Sequence, residues 1–129
     1  MLKFAVIIAK HEGKYIFCKH RERDTWEVAG GHREAGELID ETARRELREE
    51  TGAVDFDIWP ICVYSVSPQQ SISGQESFGM LYCAQVRTFE DINSEIERII
   101  ITDEWPENWT YPLIQPKLME EAARRGFIV

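Results

Sequence analysis

From Glu37 to Thr51 the chain contains no Gly or Pro and is dominated by Ala, Leu, Glu and Arg, all good helix formers. Gly30-Gly31 lies before this stretch and Gly52 directly after it, where a helix stop belongs. Ile39, Ala43 and Leu47 recur every four residues and predict the buried stripe. Glu46, Glu49 and Glu50 cover a neighbouring arc of about 100° at the standard helical pitch. Like charges at that spacing repel and weaken a bare helix. Such an arc needs cations, either interleaved in the sequence or bound.

Strand patterns flank this helix on both sides. Leu2 to Ala9 is an apolar run, His11 to Lys14 a turn and Tyr15 to Lys19 the returning strand. Thr25 to Ala29 reads as a short strand that Gly30-Gly31 breaks. Beyond Gly52, Phe56 to Val66, Phe78 to Val86 and Ile96 to Thr102 are strand-like, with a polar Ser, Gln and Gly loop between the first two. Trp105 to Tyr111 is an aromatic loop, and Pro112 to Arg125 a final helix with Pro116 in its first turns and Gly126 as its stop. Strands before, between and after two helices predict an α/β chain, a mixed sheet with a helix on each face.

With 129 residues, a single domain over residues 1–129 is expected. Cys18, Cys62 and Cys83 are widely spaced in apolar runs, which suits buried reduced thiols rather than a disulfide frame or a metal site. No apolar run is long enough to span a bilayer, and no leader pattern is evident, so a cytoplasmic location is the expectation. The net charge of −8 argues against a nucleic-acid duplex as partner. An acidic ligand such as a phosphate ester would then require a cation to bridge it to this chain. Neither a monomer nor a homodimer is favoured by the sequence.

Ionised carboxylates offer hard oxygens, which suit Mg²⁺ or Mn²⁺. One divalent ion would turn repulsion among Glu46, Glu49 and Glu50 into attraction. Gly30-Gly31, lacking Cβ atoms, would let a backbone carbonyl approach as well. The competing reading is a solvated face laced with ion pairs, in which Arg44 and Arg48 meet Asp40 or Glu41.

Gly31, Glu37, Arg45, Glu46, Leu47, Glu49, Glu50, Gly52 and Ala53 together resemble the signature of the Nudix hydrolases, MutT-like enzymes. That signature is Gly, five residues, Glu, seven residues, Arg-Glu, an aliphatic residue, any residue, Glu-Glu, any residue, Gly and an aliphatic residue. Ala53 is smaller than the usual last residue, and Ala29 stands where the family often has Pro. The resemblance implies an α/β/α sandwich around a mixed β-sheet. It implies metal ligation by Glu46, Glu49, Glu50 and the Gly30 carbonyl, with Glu46 or Glu49 acting on the attacking water. Glu37 and Arg45 would pair and orient Glu46. The implied reaction is Mg²⁺-dependent (or Mn²⁺-dependent) hydrolysis of a phosphoanhydride in a nucleoside diphosphate derivative.

Substrate choice lies outside the signature. The compact chain resembles the nucleoside triphosphate pyrophosphohydrolases of the family, including those that remove oxidised guanine nucleotides. ADP-ribose is a rival because Pro68 stands fifteen residues past Ala53, although Gln69-Gln70 does not continue that group's pattern and a turn proline explains Pro68 better. Dinucleoside polyphosphates and a nucleotide sensor without catalysis are further alternatives. Arg21 and Arg23 are candidate phosphate contacts, or partners of Glu22 and Asp24. Trp26, Asn108 and Tyr111 are candidate base contacts. The loop Asp103 to Pro112 serves either as a base-reading edge or as a lid over the core. His32, after the paired glycines, is either a phosphate contact or a solvated loop residue. Glu76, Glu95 and Glu97 are the acids outside the signature that could complete the site.

Overall fold

The computed structural model describes residues 1–71 and 74–129; residues 72 and 73, within the expected polar loop, lie outside the described residues. The elements are β1 (Leu2–His11), β2 (Lys14–His20), β3 (Ala29–His32), α1 (Ile39–Thr51), β4 (Ala53–Val66), β5 (Ser77–Phe89), β6 (Ile96–Thr102) and α2 (Gln115–Arg124). They form a mixed sheet in the order β4-β5-β1-β2-β6, in which β1 and β5 run parallel and the other pairs antiparallel. β1 is central and buried on both faces. Its Ala5, Ile7 and Ala9 join one core cluster with Ala43 and Leu47 of α1, and its Val6 and Ile8 join a second with Leu118 and Met119 of α2. This alternation follows from the period-two geometry of a strand. It yields the α/β/α sandwich.

β1 and β2 are joined by a tight turn at Glu12-Gly13, where both residues have positive φ (51° and 82°), as a two-residue hairpin requires. The two strands pair only beside that turn, at Lys10↔Tyr15 and His11↔Lys14. Further along β1, Phe4 to Ile7 pair instead with β3. β3 is therefore a wedge between diverging strands, and this wedge carries Gly30-Gly31.

Here the expected element is corrected. The strand is not Thr25–Ala29 ended by glycines but Ala29–His32 containing them. Trp26 and Glu27 form only isolated bridges, to Trp109 and Cys18. The glycines act through close approach rather than as breakers: a Cβ on Gly30 would stand 2.7 Å from the Ala5 carbonyl oxygen. Gly52 has φ 78° and donates its N–H to the Arg48 carbonyl, so α1 ends and β4 begins within one residue.

Helix α1 starts at Ile39, two residues later than expected, because Glu37 is used as a side-chain clasp. Its Oε1 accepts from the Glu34 N–H at 2.9 Å and from the Thr42 hydroxyl at 2.8 Å. The ion pairs of the competing reading, Arg44 and Arg48 with Asp40 or Glu41, do not form. Both guanidinium groups instead lie over the Phe56 ring, at 5.9 and 5.5 Å. Asp40 accepts from the Tyr82 hydroxyl, and Glu41 from the Leu38 N–H. Arg48→Ala is therefore expected to cost less than about 1 kcal/mol and to leave turnover within about twofold, as paired melting curves and rate assays would show.

Helix α2 begins at Gln115, with Pro116 in its first turn. Cys18 and Cys83 are buried, whereas Cys62, expected to be buried, is only half-buried on the edge strand β4; all three are free thiols. Among the described residues, no helix is long and apolar enough to cross a membrane.

Candidate active site

Helix α1 turns Ala43 and Leu47 into the core, which brings Glu46 and Glu50 up against β3. Both carboxylates belong to residues under a tenth exposed, 8% for Glu46 and 6% for Glu50. Glu49 is open to solvent, with 47% of its side chain exposed. Glu50 Oε1 accepts the Gly30 N–H at 2.8 Å. In an antiparallel pair a residue directs its N–H and C=O to the same edge. The Gly30 carbonyl thus leaves β3 on the edge facing Glu50. Gly31 lies under Glu46 so closely that a Cβ there would overlap the carboxylate.

Arg45 gathers the other charges. Its Nε and Nη2 donate to Glu37 at 2.6 and 3.0 Å, its Nη1 donates to Glu46 at 2.7 Å, and the same Nη1 reaches Glu49 at 3.4 Å. A further bond at 3.0 Å holds the His32 carbonyl, fixing the end of β3 against the helix. These hydrogen bonds hold the Glu37 carboxyl down to about 2. Glu50 behaves oppositely. Burial, reinforced by the neighbouring Glu46, Glu27 and Glu95 charges, pushes it up to about 9 despite the Gly30 N–H. Burial likewise raises Glu46, with the Arg45 contact working against the shift.

This is an acidic pocket that lacks cationic charge at Glu50. Its donor set, hard carboxylate oxygens beside an outward-facing carbonyl at paired glycines, fits a divalent cation. As the side chains stand, no three His, Cys, Asp or Glu groups among the described residues surround one metal position. Glu46 and Glu49 lean to Arg45 instead, and must turn from it to share an ion with Glu50.

On the other face of β3 is a cavity of about 440 Å³. Its walls include Phe4, Val6, Val28, Tyr64 and Ile114, and Lys3, His32, Tyr111 and Gln115 border it. Gly30 and Gly31 line it too, so cavity and carboxylates meet across a strand with no side chains between them.

A profile of the NUDIX domain family matches residues 1–112. The chain belongs to the Nudix family. Nucleoside triphosphatase NudI of Escherichia coli is 38% identical over 50 residues, which are 35% of this chain and 36% of that protein. The chain thus spans about a third of the length of the curated relatives it matches. Among solved structures, a point mutant of the Bacillus subtilis pyrophosphohydrolase BsRppH has a TM-score of 0.79 at 23% identity, covering 99% of this chain and 85% of that one. The Caenorhabditis elegans Ap4A hydrolase has a TM-score of 0.68 at 14% identity, covering 97% and 98%. Both likenesses are likenesses of fold. Nudix hydrolases generally use divalent metal ions.

Against this Nudix frame, the candidate contacts outside the signature separate. Of the five candidate substrate residues, Tyr111 borders the cavity. Arg21 donates to the Ser94 carbonyl at 3.2 Å, and Arg23 pairs with Glu27 at 3.6 Å. Trp26 lies under the Arg98 guanidinium. Asn108 fastens its loop, donating through Nδ2 to the Asp24 carbonyl and accepting the Trp26 N–H. Trp105 and Trp109 pack edge-on against Tyr15 and Phe17 over the α2-side core. The loop Asp103 to Pro112 is thus chiefly a lid. His32 stands exposed at the cavity rim, edge-on to Phe4.

Of the three outside acids, Glu97 pairs with Lys19 at 3.4 Å and lies near Arg98 at 3.7 Å. Glu95, exposed just before β6, contributes a charge that raises both Glu46 and Glu50. Glu76 enters neither of those shifts. Pro68 lies in a turn that the Gln70 N–H closes on the Ser67 carbonyl.

Glu27, Phe4 and Gln115 went unmarked in the sequence. Glu27 is a buried acid (8% exposed) whose charge bears on Glu50, and burial raises its own carboxyl while Arg23 opposes the shift. As a lone charge between Trp26 and Val28, it was visible. Phe4 and Gln115 gave no signal, since strand and helix patterns absorb them. Gly31→Ala is expected to leave the fold intact, because the new methyl meets only the flexible end of Glu46. The displaced carboxylate should lower turnover by about tenfold to a hundredfold, measured as kcat on a folded variant.

Proposed function

We propose that residues 1–129 act as one hydrolase domain that cleaves a nucleoside triphosphate to the monophosphate and pyrophosphate, with Mg²⁺ or Mn²⁺ as cofactor. Oxidised guanine nucleotides of the 8-oxo-dGTP type fall within that class. One observation carries the reading: the nucleoside-sized cavity and the acidic helix share Gly30-Gly31. A base and sugar on the cavity side would have their phosphates at Glu46, Glu49 and Glu50. The name of the E. coli relatives, over their 50-residue match, points the same way. Three free cysteines accord with a reducing, cytoplasmic setting.

In the proposed reaction water attacks phosphorus, the phosphoanhydride P–O bond breaks, and pyrophosphate leaves with that bond's electron pair. Glu46, Glu49, Glu50 and the Gly30 carbonyl would hold the cation. When bound, it supplies positive charge that offsets the phosphates and makes a water easier to ionise. Glu49, the most open of the three carboxylates, takes the proton of the attacking water. Arg45 and Glu37 orient Glu46 and tie β3 to α1. Glu95 is the outside acid best supported to complete the site, through its electrostatic reach to Glu46 and Glu50.

The test is product analysis by anion-exchange chromatography, with Mg²⁺ and with chelator. The panel is dGTP, 8-oxo-dGTP, ATP, ADP-ribose and a diadenosine polyphosphate. The reading expects monophosphate plus pyrophosphate from a triphosphate, abolished by chelator. AMP plus ribose 5-phosphate as the main products would replace it with ADP-ribose hydrolysis. Ligand-induced stabilisation without any turnover would replace it with a nucleotide sensor.

A further inference from the structure

β6 forms one edge of the sheet, and among the described residues no strand pairs beyond it. β2 shows which of its backbone groups are free. Cys18 exchanges both backbone hydrogen bonds with Glu27, its N–H donating at 2.7 Å and its carbonyl accepting at 3.0 Å. Cys18 therefore turns these groups away from Ile99, its partner on β6. Bonded and non-bonded positions alternate along an antiparallel pair. Arg98, Ile100 and Thr102 thus bond to β2, while Ile99 and Ile101 direct their N–H and C=O groups outward. The Ile101 side chain on this edge is 41% exposed.

The far edge of the sheet is different. β4 breaks register three times and carries Pro60, which has no N–H to offer a partner. The irregularity of β6 lies at its start, beside Glu97. From Arg98 to Thr102 the strand is regular, has no Pro and holds three isoleucines in succession, the kind of edge that templates another strand.

We propose that β6 pairs antiparallel with β6 of a second copy of this chain, about a twofold axis at Ile100. The segment is complementary to itself in that register. Ile99 of each copy faces Ile101 of the other, and each such pair exchanges two backbone hydrogen bonds. Ile100 faces its own counterpart. Arg98 faces Thr102, with the exposed Asp103 and Glu104 of the other copy just beyond, so opposite charges adjoin at both ends. Glu97, which the same register brings towards those acids, is already paired with Lys19. An axis at Arg98 would set that guanidinium against itself. One at Ile99 would leave Arg98 and Glu97 facing isoleucines.

The experiment is sedimentation equilibrium of the full chain from about 1 μM to about 1 mM, because so short a pairing gives a weak interface. The mass should rise from the 15.0 kDa of one chain towards twice that. Amide exchange at Ile99 and Ile101 should slow at least about fivefold over the same range. Ile101→Lys removes apolar contact and Ile101→Pro removes an outward N–H, and both leave the bonds to β2 in place. Each should weaken association at least about tenfold. If melting curves show that Ile101→Pro does not fold, the amide exchange decides. The mass of one chain at every concentration would overturn the proposal and leave the edge to an extended segment of another protein. Association unaltered by both variants would place the interface elsewhere and overturn it too. Weakening by Ile101→Lys without slowed exchange at Ile99 and Ile101 would mean side-chain adhesion in place of strand pairing, again against the proposal.

Discussion

Glu49→Gln is expected to fold normally and to lose at least about a hundredfold in turnover. Glu49 is half-exposed and makes one long contact, to Arg45 at 3.4 Å, so the fold does not depend on its charge. Removing that charge also lessens repulsion with Glu46, whose carboxyl it helps to raise. The melting temperature should hold or rise slightly. Function should not survive, because the neutral amide is a poorer metal ligand and a far weaker proton acceptor. The measurement is kcat beside a melting curve for each protein. Full activity in a folded Glu49→Gln enzyme would falsify the assigned role.

Glu50→Gln should separate stability from function even more sharply. The folded chain holds the Glu50 proton up to about 9, whereas an ordinary glutamate releases it at 4.5. Between those values the folded state binds more protons than the unfolded one, so this group's contribution to stability falls as pH rises. It is fully present below 4.5 and lost by the time pH passes about 9. Metal-free wild type should therefore lose melting temperature from pH 5.5 to pH 8.5, and the Gln variant should lose less. At the upper end the variant should be more stable by roughly 1–3 kcal/mol, or several degrees. The Glu37 and Glu121 carboxyls, held down to about 2, act in the opposite direction but only in acid, and so do not mask this slope. A flat profile in wild type, or one unchanged by the substitution, would mean that Glu50 is not buried as described.

The acidic arc was legible in the sequence because helical pitch fixes its geometry: once Glu37 to Thr51 reads as a helix, Glu46, Glu49 and Glu50 must adjoin. Strand patterns also indicated a sheet with a helix on each face, since the apolar run of β1 is buried on both sides. What the sequence hid was set by distant contacts. Gly30-Gly31 read as a strand break because local rules treat glycine as punctuation; their reason is the Ala5 carbonyl on one side and the Glu46 carboxylate on the other. Arg44 and Arg48 read as ion-pair partners because spacing cannot show Phe56, which arrives from β4. Three outside acids looked alike until the start of β6 brought the Glu95 charge to bear on Glu46 and Glu50 while Lys19 took Glu97. Gln115 is an ordinary helix residue in the chain and becomes the acceptor for the Val28 N–H only in the fold.

The central claim is that the α1 carboxylates together hold a divalent cation. Manganese titration followed by electron paramagnetic resonance tests it without reference to substrate, since bound Mn²⁺ leaves the free-ion signal. Wild type and Arg48→Ala should remove Mn²⁺ from that signal alike, while Glu49→Gln and Glu50→Gln should each bind at least about tenfold more weakly. Equal binding by all four proteins, or none by wild type, would contradict the account.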